Sequence, residues 1–169
     1  IQYSALGKAQ DWFSTGSGFI DLLETGGHNV WGAQLSNQYI VYQDKSIWGL
    51  NYVGGTTVFD PVVLIRDLGL LAPHLLVSKN NIHYFVGNDY NVYAYYGGSM
   101  YRAVGDKIHS MLINELAYTE VNKCWMMVET YEPRVWIFIV TGDNQYITRA
   151  YGMDLRTENW TVRTFDDKF

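Results

Sequence analysis

Gln38-Tyr39-Ile40-Val41-Tyr42 is a run of β-branched and aromatic residues that follows the turn residues Ser36-Asn37. Runs of the same kind recur at His83–Val86 and Cys124–Val128, at a spacing of roughly 44 residues. Apolar strands that return at such a spacing are typical of propeller blades, in which each four-stranded sheet buries its faces against neighbouring sheets. The repeat therefore predicts a β-propeller architecture.

Each run is followed by a polar break and a second apolar run, as expected for a β-hairpin. The second runs are Ile47–Leu50, Asn91–Tyr95 and Val135–Val140. With the shorter apolar segments beside them, these hairpins predict an all-β chain of about three four-stranded antiparallel sheets. The predicted blades lie at roughly 19–65, 69–105 and 117–165.

Two segments lie outside this pattern of hairpins. Ile108 and Leu112 belong to a set of apolar residues at near-helical spacing, which predicts one short helix near 106–116 with Asp106 as its N-cap. The apolar segment 19–23 is flanked by glycines and predicts either an outer strand or a connection from a preceding blade.

Three blades are too few for a complete ring, because propellers usually close with roughly four to eight blades. We therefore interpret residues 1–169 as a single β-propeller region that is part of a longer chain or assembly. Two blade faces would be open, and the isolated chain is predicted to be aggregated, oligomeric or only partly folded. Residues of the kind expected on such faces are Trp31, Tyr42, Trp48, Phe85, Trp125 and Trp136.

Composition and charge argue against several classes of function. The formal net charge is -5 and no basic cluster offsets it, which argues against a general nucleic-acid binder, and no sequence-specific nucleic-acid partner is predicted. No apolar run approaches the roughly 20 residues that span a bilayer, so no membrane association is predicted. The single cysteine, Cys124, lies in an apolar run and is predicted to be a buried, inert thiol.

The titratable residues show no pattern typical of catalysis. The four histidines have no metal-ligand spacing, and His83 lies in a strand, where a packed or hydrogen-bonded imidazole is expected. Asp166-Asp167 is interpreted as a solvated tail. The sequence therefore predicts no enzyme, no catalytic residues, no cofactor and no metal site.

Tyr90, Tyr95, Tyr96 and Tyr101 are the candidate interface or ligand residues, because they crowd around Gly97-Gly98. Flat aromatic rings could stack on the faces of sugars, which leaves a glycan ligand open. Packing between blades is the favoured interpretation, because buried interfaces are rich in tyrosine and tryptophan.

The hairpin at residues 35–48 also resembles one found in propeller proteins of tailed bacteriophages. There, as here, an apolar strand runs into a charged turn that is followed by Ser-Ile and an aromatic residue. The resemblance extends over residues 30–115 and identifies the chain as similar to the hub or stabilisation proteins at the head-to-tail channel of short-tailed phages. Further segments that carry it are Arg66–Gly69, Leu71–Pro73, Ile82–Val86, Asn91–Gly98 and Val104–Ile108.

This resemblance implies a structural virion protein of a phage tail or head-to-tail connector, made in the host cytoplasm and incorporated into the virion. Its expected partners are other tail or portal proteins and copies of itself in a ring. Two alternatives remain open from the residues: a glycan-binding propeller that recognises a host surface, and a propeller enzyme with its site at the central channel.

Overall fold

The computed structural model describes residues 1–5, 7–55 and 58–165, and within them the fold is all-β as predicted. The main strands form three four-stranded antiparallel sheets, and in each sheet the strands are adjacent in the order in which they occur along the chain. This is the up-and-down arrangement of propeller blades, and the described residues form no closed ring. The first blade contains β3 (Asn29–Leu35), β4 (Gln38–Gln43), β5 (Ser46–Tyr52) and β6 (Phe59–Arg66), the second β7 (Leu76–Lys79), β8 (Ile82–Val86), β9 (Val92–Gly97) and β10 (Met100–Ala103), and the third β11 (Trp125–Val128), β12 (Arg134–Ile139), β13 (Arg149–Asp154) and β14 (Trp160–Thr164).

The three recurring runs do not occupy equivalent strands. Two of them are the second strands β4 and β8 of their blades, whereas Cys124–Val128 supplies the first strand, β11, of the third blade. The equivalent second strand there is β12, so the repeat is longer between the second and third blades than the sequence alone predicted. The added length holds helix α1 (His109–Glu115) and a 3₁₀ turn at Tyr118–Lys123.

Helix α1 confirms the predicted short helix, but Asp106 does not cap it. The N-cap residue is Ile108, and no side chain caps the helix. The carboxylate of Asp106 instead accepts a hydrogen bond from the side-chain amide of Asn91 at 3.0 Å. Because the helix begins at His109, Asp106 lies too far before it to reach its free amide groups.

The first and second blades bury aromatic rings against each other. Tyr42 is fully buried, and its ring centroid lies 5.2 Å from that of Phe85. The Tyr42 hydroxyl hydrogen-bonds Nδ1 of His83 at 2.9 Å, and Nε2 of His83 lies 3.0 Å from the carbonyl oxygen of Gln34. Because a carbonyl only accepts, Nε2 carries the proton and Nδ1 accepts from the tyrosine. The predicted hydrogen-bonded role of His83 is therefore confirmed.

The second and third blades are joined through backbone and indole groups. The amide of Met126 donates to the carbonyl of His74 at 2.9 Å, which links the first strand of the third blade to the segment before β7. The indole N–H of Trp160 donates to the carbonyl of Val104 at 3.1 Å and holds the outer strand β14 against the second blade. Cys124 is fully buried beside this junction, as predicted, and burial raises the pKa of its thiol.

The N-terminal segment covers one end of the stack of blades. Its strands β1 (Gln2–Tyr3) and β2 (Gly18–Phe19) form a separate two-stranded sheet, and the first blade begins only at Asn29. Leu22 is buried against Val41, Trp48 and Leu50 of that blade. The segment 19–23 is thus not an outer strand of the first blade. The expectation of two open blade faces was wrong for the part of this face that Ile20 and Leu22 cover, whereas Tyr39 and Tyr52 on the same face remain 45% and 56% exposed.

Among the described residues, no helix combines the length and apolar character that crossing a bilayer requires.

Candidate functional site

Each blade has two faces, and the alternation of side chains along a strand decides which residues share a face. We call the face directed toward the next blade along the chain the forward face. In the second blade, Val77, Tyr84, Ala94 and Arg102 lie opposite one another across four strands and form one row of this face. Arg102 ion-pairs with Glu158 of the third blade, which fixes the direction in which this row points.

The same row recurs in the third blade with larger aromatic residues. There Trp125, Phe138, Ala150 and Arg163 are opposite one another across β11 to β14. The row is the equivalent of the second blade's row, since both carry alanine on the third strand and arginine on the fourth. In the first two blades the forward face is covered by the following blade, whereas no described residues cover it in the third.

Three aromatic rings are stacked on this open forward face. The rings of Trp125 and Phe138 are nearly parallel, with centroids 4.1 Å apart and planes at 11°. Phe165 extends the stack on the other side of Phe138, with a centroid distance of 6.3 Å and an angle of 17°. Trp125 keeps 38% of its surface exposed and Met127 beside it keeps 37%. Contiguous exposed apolar surface is a common feature of interaction sites, so this face is the candidate functional site.

Two guanidinium groups lie over the neighbouring indole, that of Trp136. The Cζ atom of Arg163 lies 4.6 Å from the centroid of the ring and that of Arg134 lies 5.5 Å from it. Both distances are within the range of cation–π attraction. The indole N–H donates to the carboxylate of Glu129 at 2.9 Å, and Glu129 also pairs with Arg134. Arg163 contacts no carboxylate among the described residues.

The rings and cations enclose two shallow depressions that share Phe138 and Phe165. One has a volume of about 300 Å³ and is lined by Trp125, Phe138, Ile147 and Phe165. The other has a volume of about 220 Å³ and extends toward Met127 and Arg163. Together they form a surface that can receive apolar side chains on one side and a carboxylate on the other.

Glu129 is a carboxylate beside this face, and Arg134 and Trp136 already bind it. Within the described ranges, no three histidine, cysteine, aspartate or glutamate side chains come together as a metal-binding group. The chemistry that this arrangement supports directly is burial of apolar surface and pairing with a negative charge.

The tyrosines singled out from the sequence do not form one surface. Tyr95 is fully buried, donates its hydroxyl hydrogen bond to the carbonyl of Gly98 at 3.0 Å, and has its pKa raised to about 12 by burial. Tyr96, the next residue along β9, points to the opposite face and is 38% exposed. Tyr101 lies opposite Tyr95 across the ladder and is 46% exposed, and Tyr90 packs half-buried against the main core.

Sequence reasoning identified Trp125 and Trp136 as blade-face residues but missed Phe138, Phe165 and Arg163. The alternation Trp136-x-Phe138 within one strand was the available signal for Phe138. Arg163 had no such signal, because only the register of β14 with β13 places it in the same row as Ala150 and Phe138. Asp166-Asp167, interpreted as a solvated tail, lie outside the described residues.

A second cluster of titratable groups joins α1 to the third blade. The hydroxyl of Tyr151 donates to the carboxylate of Glu115, and the guanidinium of Arg149 pairs with the same carboxylate. Burial, followed by the bond to Glu115, raises the pKa of Tyr151 to about 12. The three groups bind one another between packed elements, although Nε of Arg149 is buried without a hydrogen-bond partner among the described residues, and the cluster joins α1 to the sheet.

No protein-family model matches this chain, and no curated protein matches it in sequence.

Proposed function

We propose that this chain is a non-catalytic assembly protein that joins a larger particle through the open forward face of its third blade. One observation carries the proposal: the equivalent faces of the first two blades are each covered by a β-sheet, while this one exposes stacked aromatic rings. Large aromatic side chains in apolar depressions are the residues that dominate protein–protein binding energy.

The particle we propose is the virion of a short-tailed phage, with this chain in the tail or the head-to-tail connector. Support for this narrower statement comes from the hairpins of residues 30–115 and their resemblance to the hub and stabilisation proteins. Tail or portal proteins are then the expected partners. A rigid stack of sheets suits such a role, because it presents large, pre-organised faces to its neighbours.

The two alternative functions have less support. A glycan platform at the four tyrosines would need their rings on one surface, but Tyr95 is buried and Tyr96 and Tyr101 point to opposite faces. An enzyme of the propeller type would use residues that meet at a central channel, and the described residues close no channel.

Photo-cross-linking in the assembled particle tests the assembly function. Benzoylphenylalanine would replace Met127 on the open face, and a matched control would replace Tyr131, which is 97% exposed in a turn outside the face. We expect protein adducts from position 127 and few from position 131. Equal cross-linking from both positions would contradict docking through this face.

Two further measurements separate the alternatives. Mass spectrometry of purified virions is expected to detect the chain, and its absence from the particle would end the virion proposal. Titration with host-surface oligosaccharides, followed by tryptophan fluorescence, is expected to give no saturable change. A saturable change that is lost in Y96A or Y101A would instead favour glycan binding.

A further inference from the structure

We infer that the occupant of the open forward face is a second copy of this chain, docked head to tail through the outer surface of its residues 19–23, with Arg163 of one copy facing Asp21 of the other. The inference rests on the proposed assembly function and adds to it the identity of a partner and the two surfaces that meet.

The surface that would be received lies at the other end of the stack. Along residues 19–23 the side chains alternate: Ile20 and Leu22 pack on the first blade, whereas Phe19, Asp21 and Leu23 are exposed. Phe19 is 76% exposed and Leu23 is 79% exposed. Two large apolar side chains at such exposure, with a carboxylate between them, form an apolar patch of the kind that mediates docking.

The charges at the two ends are complementary. Arg163 at one end and Asp21 at the other each make no ion pair or hydrogen bond within the part of the chain that the structure describes. The neighbouring carboxylate, Glu24, is already paired with Arg66. A contact between the two ends would therefore pair a cation and an anion that have no ion-pair partner among the described residues.

The junction between the second and third blades shows how such a contact is made in this molecule. Arg102 holds the position in the second blade that Arg163 holds in the third, and it receives a carboxylate, Glu158, from the sheet that covers its face. Their second bond, from Nη1 to Oε2, is 2.9 Å long. The equivalence predicts that whatever covers the third blade places a carboxylate opposite Arg163.

The head-to-tail arrangement also follows from where the N-terminal segment lies. It occupies the place in which a preceding blade would pack on the first blade, so docking another copy there continues the stack in the same direction. Such a heterologous contact generates a ring or a filament. A symmetric contact between two third blades would bring Arg163 of both copies into one interface, where Glu129 is already paired.

Sedimentation velocity of the 169-residue chain over a range of concentrations tests the inference. The unaltered chain is expected to associate as its concentration rises. R163D presents two acidic groups to each other at the contact, and D21R presents two basic groups. Each variant alone is expected to weaken association roughly tenfold or more, because like charges at an interface are strongly unfavourable.

A mixture of the two variants makes the test specific. In an equimolar mixture of R163D and D21R every contact between unlike copies joins opposite charges, so association is expected to return. K79D, at the end of β7 in the middle blade and away from both ends, applies the same change of charge and is expected to associate like the unaltered chain. Circular dichroism and thermal melting of each variant verify that it is folded.

Three results would overturn the inference: a chain that stays monomeric at all concentrations, single variants that associate undiminished, or a mixture that fails to recover. If the chain stays monomeric while position 127 still cross-links to another protein in the particle, that protein covers the face instead of a second copy. The inference of a second copy then fails, and the assembly function stands. If position 127 does not cross-link either, both proposals fail.

Discussion

Trp48 at one end of the blade stack is buried more deeply than Trp125 at the other, although both lie on outer faces of similar four-stranded sheets. At the N-terminal end, Trp48 is 4% exposed and its indole N–H donates to Gln43 and Ser46, each at 3.0 Å. Leu22 completes the cover from outside the sheet. At the other end, Trp125 lies stacked on Phe138 but remains 38% exposed. The described residues cover Trp48 at one end, where Tyr39 and Tyr52 on the same face remain 45% and 56% exposed, and they leave Trp125 uncovered at the other end.

This difference shows that a blade face can be made stable in two ways. A segment with alternating apolar residues can cover it, as residues 19–23 do. Alternatively, the face can cover itself in part: Trp136 is 5% exposed, and the guanidinium groups of Arg134 and Arg163 lie over its ring. The second way leaves aromatic rings accessible, and burying each would contribute roughly 1.5–3 kcal/mol to an interface.

The largest expected effect comes from removing the cover. Deletion of residues 1–25 uncovers Val41, Trp48 and Leu50, and we expect the free energy of unfolding to fall by more than about 3 kcal/mol, because Leu22 and Ile20 no longer bury apolar surface. Urea denaturation and binding of an apolar dye measure the change. F13S, in the same segment but at a residue that is 95% exposed, is the control and should behave like the unaltered chain. A deletion variant with unchanged stability would show that the segment does not hold the face.

A single side chain within the cover should carry a large share of that effect. L22A is expected to lower the free energy of unfolding by about 2–4 kcal/mol, since it opens a cavity against Trp48. L23A is its neighbour on the exposed side and should change stability by less than about 0.5 kcal/mol. Both are measured by urea denaturation at a concentration low enough to keep the chain monomeric. Equal losses in the two variants would contradict the alternation of residues 19–23.

The covered face between the first and second blades should respond to pH through His83. Burial lowers the pKa of its imidazole, so the folded chain resists protonation while the unfolded chain binds a proton near pH 6.5. The free energy of unfolding is thus unaffected by this group above about pH 6.5, and it falls by up to about 1.4 kcal/mol per pH unit as the pH drops from there toward the lower folded pKa.

Denaturation curves of H83Q between pH 7 and pH 5 are expected to lack this part of the slope. H74Q, at an exposed histidine, should retain it. A slope that survives in H83Q would mean that other groups cause the acid sensitivity.

The smallest effect should come from the two equivalent arginines. R102Q removes the exposed ion pair with Glu158 and is expected to lower stability by less than about 1 kcal/mol, with the loss vanishing at about 1 M salt. Arg102 lowers the pKa of Glu158, so the contribution is present above the usual glutamate pKa and is lost as the pH falls through the lowered one. R163Q, which has no ion pair within the described residues, should show a loss that salt does not remove. The same salt dependence in both variants would argue against the difference between the two sites.

The strand pattern and the turn residues were sufficient to predict three antiparallel sheets and a short helix near 106–116. They also placed His83 and Cys124 in buried positions, because both lie within apolar runs. The same pattern misassigned Cys124–Val128 within the repeat, since a first strand and a second strand of a blade look alike when each is a short apolar run. Asp106 was predicted to be the N-cap of the helix, but its carboxylate accepts a hydrogen bond from the side-chain amide of Asn91 instead. Only the folded chain brings Asn91 close to Asp106.

The amino-acid sequence by itself determined the all-β class, the turns between strands and the aromatic character of the faces, since these follow from local periodicity of two residues and from turn chemistry. Only the tertiary structure decided which faces are covered. Residues 19–23 meet the first blade, and Arg163 lines up with Phe138 and Trp125, through contacts between segments that are distant along the chain. The burial of a side chain depends on which surfaces contact each other in the folded chain, and the local sequence pattern does not determine those contacts.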